Sequence, residues 1–209
     1  MKRILYISIL CLLSASLNAQ LKIDKRLDYS GKNRIVLDIQ ISDSIKIITW
    51  ERNEVYLTAS VNINDNLDND AYETEFSDSG SSIIVKARFK EDYFKGKKNN
   101  CVESEINWVA YIPEQADLSV ESINADITIT GQTGPMNIKS ISGFIDLTVP
   151  VSRPASLDFS TITGTVYTNH LLTSLDKRSG MPSGIRTNLN YGGQTIKLET
   201  ISGDIFFRK

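Results

Sequence analysis

The sequence predicts an all-β protein whose C-terminal half forms a single-stranded parallel β-helix, or β-solenoid. Three observations carry this prediction: apolar residues alternate with polar ones from Arg34 onward, helical periodicity is nearly absent, and a ten-residue pattern recurs after residue 117. A period of two with many β-branched residues is typical of strands that bury one face. A repeat of about 20 residues is typical of coils that bury their apolar faces only by stacking.

The first nineteen residues have the features of a secretory signal peptide. Lys2 and Arg3 precede an uncharged apolar stretch that ends near Ala19, so we expect cleavage before Gln20. An uncleaved membrane anchor is the alternative, although the apolar stretch is short for a span. A lipoprotein is a further alternative, but Cys11 lies in the middle of the apolar stretch. We therefore expect an exported protein in the periplasm, on the cell surface or secreted, with no transmembrane span after cleavage.

The remaining chain has the length of one continuous domain. We expect residues 20–113 to form an N-terminal β-strand region that caps or extends the solenoid of residues 114–209. The one candidate helix is Leu67 to Phe76, and its helical propensity is weak.

Charge and cysteine content exclude several classes of protein. The chain has 23 basic and 25 acidic side chains, and loss of Lys2 and Arg3 makes the balance more acidic. A nucleic-acid binder needs a concentrated positive surface, which this composition does not favour. Only Cys101 remains after cleavage, which excludes an intrachain disulfide and a cysteine-rich metal cluster.

Four segments align without gaps on the pattern apolar, any, apolar, any, Ser/Thr, Ile, any, Gly/Ala, any, Ile/Val. They are residues 118–127, 136–145, 157–166 and 196–205. The isoleucine at the sixth position is followed by the next one after 18, 21 and 39 residues. The last interval corresponds to two coils or to one coil with an insertion. The default expectation for the winding is right-handed.

The alternation slips by one residue inside each repeat, and we place a corner at the slip, between Ser122 and Ile123 in the first copy. This register points the isoleucines inward, so that Ile123, Ile141, Ile162 and Ile201 stack into a dry column. It predicts that Ile162→Ala opens a cavity and costs about 2 to 5 kcal/mol. The small residue two places later leaves room for large neighbours, so Gly164→Val should also destabilise the protein.

The candidate binding residues are outward aromatic side chains on the repeats, namely Phe144, Tyr167 and Phe206. Exposed aromatic rings on a sheet can stack on sugars or pack against a partner. The alternative is that residues 168–190 or the N-terminal strands cover these rings.

The residues suited to chemistry do not form a recognisable constellation. His170 is the only histidine, we expect it on the surface or in a loop, and no Gly-x-Ser-x-Gly elbow is present. The outward acids show no obvious adjacent pair of the kind that glycan cleavage needs; they are Glu121, Asp126, Asp146, Asp158, Glu199 and Asp204. Asn64 to Glu75 resembles a calcium loop only loosely, since Asn69 stands where glycine is required. We assign no catalytic, cofactor-binding or metal residue, and expect no cofactor.

The sequence resembles the bacterial DUF4097 family of β-strand repeat proteins, whose members are often labelled adhesins. The last repeat, Leu198-Glu-Thr-Ile-Ser-Gly-Asp-Ile205, carries the signature motif, and the resemblance covers most of residues 21–209. The flanking segments that add to it are Ile45 to Ala59, Trp108 to Pro113 and Asn190 to Gly193. The resemblance implies a β-helix-like fold and an envelope location, and it implies no catalytic residues.

These inferences favour a non-catalytic, adhesin-like binding or structural module of the cell envelope or surface. Its partner would be an envelope glycan, lipid or protein held on an outward β-face. The alternative function is that of a polysaccharide-acting enzyme on a β-helix scaffold.

Overall fold

A computed structural model describes residues 20–95, 101–172, 176–177 and 183–209. The predicted signal peptide, residues 1–19, lies outside the described residues. Within them, no helix is both long enough and apolar enough to cross a membrane.

The described residues form seventeen strands and one short 3₁₀ helix, Asn69–Ala71. The strands are β1 (Leu21–Asp28), β2 (Arg34–Ile39), β3 (Ser44–Trp50), β4 (Glu54–Ile63), β5 (Tyr72–Ser79), β6 (Ser82–Phe89), β7 (Ser104–Pro113), β8 (Asp117–Ser122), β9 (Asp126–Thr130), β10 (Met136–Ser142), β11 (Ile145–Thr148), β12 (Ala155–Thr161), β13 (Val166–Thr168), β14 (Asp176–Lys177), β15 (Ser183–Leu189), β16 (Gln194–Ser202) and β17 (Ile205–Arg208).

The predicted helix from Leu67 to Phe76 is wrong. The helical part is one 3₁₀ turn, and Tyr72 begins strand β5, which pairs antiparallel with β6. Tyr72 is buried and Phe76 packs against the core, so the alternation of this segment prevails over its weak helical propensity.

The strands form two mixed sheets, here called sheet I and sheet II. The strand order is β1-β4-β7-β3-β9-β11-β17-β13 in sheet I and β14-β15-β12-β16-β10-β8-β2-β6-β5 in sheet II. Each of the four repeats supplies one strand to sheet II and the next strand to sheet I. Strands from residues 20–113 continue both sheets, because β2 pairs parallel with β8 and β3 pairs parallel with β9.

The all-β prediction is confirmed, whereas a right-handed, single-stranded parallel β-helix is not. Antiparallel pairs such as β4 with β7 and β12 with β15 occur in both sheets. The repeats also do not stack in chain order, because the last one inserts β16 between β10 and β12 and β17 between β11 and β13. Repeat spacing reports the length of one coil, and it contains no information about which coil lies next to which.

The core lies between the two sheets and is built from the inward positions of both. Alternate residues such as Leu118, Val120, Ile127 and Ile129 have no exposed surface. Trp108 and Phe159 are among the largest fully buried side chains. Burial of this kind, at about 25 cal/mol per Å² of apolar surface, is the main stabilising term for the fold.

The corner between the two strands of each repeat falls one residue later than predicted, and the predicted dry isoleucine column is wrong. Ser122 is buried, Ile123 and Asn124 are both exposed, and Ala125 is buried again. The alternation between inward and outward side chains therefore slips after Ile123. The Ile123 side chain keeps the outward direction that the alternation of β8 gives it. The alternation alone cannot locate the slip, because an apolar residue beside a corner fits either face.

The small residue of each repeat forms a tightly packed column, as Gly164 illustrates. A Cβ atom at Gly164 would overlap the carbonyl oxygen of Gly203, and one at Gly143 would overlap that of Ala125. Gly143 also has a φ of +102°, which side chains rarely adopt. The small residues thus admit the backbone of the next coil, and not its large side chains as the sequence suggested.

Candidate functional site

The four repeat isoleucines form an exposed ladder on the outer face of sheet II. Met136 of β10 is in register with Leu118 of β8 and with Ile196 of β16, and Leu157 of β12 is in register with Ile196. The isoleucines are therefore neighbours in the order Ile162, Ile201, Ile141, Ile123. Ile141 and Ile201 lie in β10 and β16, and Ile123 and Ile162 directly follow β8 and β12. Their exposed fractions are 48%, 47%, 49% and 43% respectively. Strands about 4.8 Å apart make this isoleucine ladder about 14 Å long.

Buried hydroxyl groups on the preceding residues hold the corners that present the ladder. The Thr161 hydroxyl donates to the Gly203 carbonyl at 3.0 Å and accepts the Gly164 N–H at 3.0 Å. The Ser122 hydroxyl accepts the Ala125 N–H at 3.3 Å. These bonds satisfy backbone groups that the corner removes from the sheet ladder. The Ser/Thr position is therefore structural in the first and third repeats, and in the second the Ser140 hydroxyl donates to the Ser142 carbonyl at 2.7 Å. In the fourth repeat the buried Thr200 hydroxyl has no hydrogen-bond partner among the described residues.

A groove with a volume of about 550 Å³ runs along the isoleucine ladder. The isoleucines form one wall, and the outward residues two places earlier on the same strands form the other. That second wall, here called the charged row, consists of Asp38, Glu121, Lys139, Glu199 and Ser160. Its Lys139 ammonium lies 3.6 Å from a Glu121 carboxylate oxygen. A groove of this size with an apolar wall and a few polar groups is typical of a ligand or partner site.

The isoleucine ladder ends in polar residues on the N-terminal strands. Asp38 of β2 is in register with Glu121, so Gln40 occupies the ladder position after Ile123. Gln40 also lines the groove. On β6 the same position belongs to Arg88, whose Nε donates to Glu73 at 2.8 Å. The apolar stripe is therefore confined to the four repeats.

The aromatic residues singled out from the sequence lie together on the outer face of sheet I. The Phe206 ring stacks on the Tyr167 ring at 5.2 Å between centroids and meets the Phe144 ring edge-on at 6.0 Å. Tyr167 is 49% exposed, whereas Phe144 and Phe206 are half-buried. The Arg208 guanidinium lies 5.0 Å from the Phe206 ring centroid and is paired with Asp146 at 3.1 Å.

A second aromatic cluster, which the sequence did not reveal, lies at the opposite end of sheet I. The rings of Trp50, Tyr56 and Tyr111 lie within 5.2 to 6.4 Å of one another. The Arg26 guanidinium covers the Tyr56 ring at 3.9 Å, and Arg52 lies 5.0 Å from the Trp50 ring. These ring faces are occupied by their neighbours, so the cluster stabilises the sheet. Only the strand order brings its members together.

The outward acids that could have carried catalysis have structural partners. Asp126 accepts the Phe144 N–H at 3.2 Å, and Asp204 accepts the Thr165 N–H at 2.8 Å. Asp126 and Asp204 lie two strands apart, with β11 between β9 and β17. Ion pairs within 4 Å engage the other four acids, namely Glu121, Asp146, Asp158 and Glu199.

His170 lies in a loop, which is one of the two expected places, and its side chain is buried. Its ring stacks on Phe207 at 4.5 Å between centroids, and its Nε2 lies 2.9 Å from the Arg208 carbonyl oxygen. The histidine therefore anchors the end of β17.

The loop that loosely resembled a calcium site is closed by its own hydrogen bonds. The Asn64 amide and the Tyr93 hydroxyl both donate to Asp68, at 2.7 Å each. Among the residues that the structure describes, no three His, Cys, Asp or Glu side chains form a group that could hold a metal ion.

No family model and no curated protein matches this sequence. A candidate cell adhesion protein from Clostridium sporogenes matches with a TM-score of 0.57 and 10% identity, over 91% of this chain and 100% of that chain. A candidate adhesin from Bacteroides fragilis matches with a TM-score of 0.25 and 10% identity, over 92% of this chain and 99% of that chain. A candidate lipid-binding protein from Parabacteroides distasonis matches with a TM-score of 0.25 and 11% identity, over 90% of this chain and 97% of that chain.

The Clostridium likeness shows a shared fold, and the two weaker ones carry no argument. Membership of the DUF4097 family is not shown, because no family model matches.

Proposed function

We propose that the protein is an exported, non-catalytic binding module of the cell envelope or surface that engages an apolar partner along the isoleucine ladder. One observation carries the proposal: the same outward position holds a half-exposed isoleucine in all four repeats. Soluble proteins rarely expose contiguous apolar stripes, and those rimmed by polar residues mark interaction sites. Membership of the DUF4097 family and a solenoid-like local winding of the four repeats belong to the same proposal.

The isoleucine ladder is not needed to hold the sheet together. The exposed residues that follow the isoleucines in the four repeats are polar, namely Asn124, Ser142, Thr163 and Ser202. A threonine ladder would supply β-branched side chains without the apolar surface. Covering the isoleucines with a partner would gain about 25 cal/mol for each Å² of apolar surface removed from water.

The partners of the outward acids support a non-catalytic role. Asp126 and Asp204 accept backbone N–H groups of the neighbouring coil, so both carboxylates hold the corners of adjacent repeats together. The only histidine is packed against Phe207.

Binding of the neutral fluorescent dye Nile red tests the proposal. We expect the double variant Ile141→Ser/Ile201→Ser to lose at least five-fold in dye emission relative to the wild type. The control variant Val151→Ser/Leu171→Ser removes two side chains that are exposed elsewhere, at 60% and 91%. It should keep wild-type emission, and thermal melts should show that all three proteins are folded. Equal emission from the ladder variant and the wild type would exclude the isoleucine ladder as an apolar site.

The exposure of Tyr167 favours a glycan as a second candidate ligand, bound at the aromatic cluster of sheet I. One face of this ring stacks on Phe206, and β13 is the edge strand, so the opposite face is available to stack on a sugar. A glycan array should show binding by the wild type and its loss in Phe144→Ala/Tyr167→Ala. If neither protein binds any glycan on the array, a glycan is excluded as the ligand. In a separate test, incubation of the protein with polysaccharides should release no new reducing ends if the module is non-catalytic.

A further inference from the structure

We infer that the partner held along the isoleucine ladder is an amphipathic α-helix with basic residues beside its apolar stripe. The inference rests on the proposed function, because it names the partner of the same groove. Three observations carry it: the sign of the charged row, the pitch of the isoleucine ladder, and the secondary structure of the chain itself.

The charged row has more acidic than basic side chains. Strand register extends it from Asp38 to Lys86 and Glu75 on the N-terminal strands. The full row therefore reads Glu75, Lys86, Asp38, Glu121, Lys139, Glu199 and Ser160, with four carboxylates against two ammonium groups. Inside the groove three carboxylates stand against one ammonium group, and Lys197, which pairs with Glu199 at 2.9 Å, does not line the groove. A partner with basic groups along this side complements the row, whereas an anionic partner would be repelled.

The pitch of the isoleucine ladder matches a helix better than an extended peptide. Neighbouring isoleucines are about 4.8 Å apart because they sit on adjacent strands. An apolar stripe on an α-helix recurs every turn, about 5.4 Å, whereas side chains on one face of an extended strand recur every 6.6 Å or so. Over the three intervals of the ladder, the difference between the isoleucine spacing and the side-chain spacing of the partner adds up to about 2 Å for a helix and about 5 Å for an extended strand. A helix of about four turns can therefore set one apolar side chain between each pair of isoleucines.

A second copy of this chain does not fit this requirement. Its described residues contain one three-residue 3₁₀ helix and no α-helix, so it has none to offer from that part of the chain. A bare acyl chain would contact the isoleucines but would leave the charged row without a counterpart. The arrangement corresponds to the helix-in-groove mode of recognition, in which an amphipathic helix lays its apolar stripe along a groove.

Fluorescence anisotropy with three labelled 16-residue peptides tests the inference on the purified protein. The first peptide carries leucines at helical spacing with lysines beside them on an alanine background, the second has glutamate in place of lysine, and the third is a scramble of the first. We expect the first to bind at least ten-fold more tightly than the other two, with affinity that falls as salt rises. Circular dichroism should show helix formation by the first peptide on binding, because a helix of this length is marginal alone.

Two variants separate this inference from the proposed function. Glu121→Gln/Glu199→Gln should weaken binding of the first peptide at least five-fold and lower Nile red emission far less than Ile141→Ser/Ile201→Ser, which should lose both. Equal binding of the lysine and glutamate peptides, or an unchanged affinity in the glutamine variant, would overturn the basic helix and leave the apolar site standing. Unchanged Nile red emission in the isoleucine variant would overturn the proposed function itself.

Discussion

Ile162 illustrates how an apolar side chain can lie on an outward position while its strand neighbours form the core. The side chain is 48% exposed, whereas Leu157 on the same strand is 1% exposed. Burial, and not hydrophobicity, determines what truncation costs, because only a buried side chain leaves a cavity behind.

Leu157→Ala should therefore destabilise the protein by about 2 to 5 kcal/mol, and Ile162→Ala by about 1 kcal/mol or less. Urea unfolding of the two variants and the wild type measures both changes. The loss of about 2 to 5 kcal/mol that the sequence predicted for Ile162→Ala is wrong, because that prediction assumed an inward side chain. A loss from Ile162→Ala equal to that from Leu157→Ala would contradict the exposed ladder.

Gly164→Val should cost about 3 kcal/mol, because the added side chain would overlap the Gly203 backbone, which cannot rotate away as a side chain can. Thr165→Val is the matched control, since Thr165 is the adjacent residue and is exposed. Thermal denaturation should show a lowered midpoint for the first variant only. Equal midpoints for the two variants would mean that the Gly203 carbonyl group does not pack against Gly164.

The corner between the two strands of each repeat determines which side chains are exposed on the outer face of sheet II. A buried Ser or Thr, an outward isoleucine, an outward polar residue and a small residue follow one another in each copy. The hydroxyl replaces hydrogen bonds that the turn breaks, and the small residue admits the next coil. The sequence revealed this corner to within one residue, because the repeat shows where alternation slips. It did not reveal the direction of the isoleucine, because direction depends on the hydroxyl bonds that close the turn.

Thr161→Val tests the corner. Valine keeps the shape of the fully buried threonine but leaves the Gly203 carbonyl and the Gly164 N–H without this partner. We expect a loss of about 2 kcal/mol of stability in urea unfolding. Thr195→Val, at an exposed position of β16, should stay within about 0.5 kcal/mol of the wild type. A neutral Thr161→Val would show that the backbone, and not the hydroxyl, sets the corner.

The order of strands in the whole molecule could not be read from the sequence. Alternation revealed the strands, and the four repeats revealed parallel stacking of like positions, because both depend on residues close in the chain. The insertion of β16 and β17 between earlier strands depends on contacts far apart in sequence. The same long-range order decides that Asp126 and Asp204 lie two strands apart and that Trp50, Tyr56 and Tyr111 meet.

This order predicts opposite outcomes for two deletions. Removing residues 194–209 deletes β16 from the interior of sheet II and β17, the next-to-last strand of sheet I, and should leave a chain without cooperative unfolding. Removing residues 20–28 deletes the edge strand β1, which pairs only with β4, and should give a folded but less stable protein. Circular dichroism melts distinguish the two. A cooperative melt for the C-terminal deletion would mean that β12 can pair with β10 in the absence of β16.

The late position of β16 and β17 in the chain also governs when the two sheets can be completed as the protein is made. Synthesis begins at the N-terminus, and most domains start to fold once their strands have emerged. Among the described strands, β12, β14 and β15 can pair with one another early, but they join the rest of sheet II only through β16, and β13 pairs only with β17. For a chain that crosses a membrane as we propose, completion of both sheets therefore waits until the last residues have emerged on the far side.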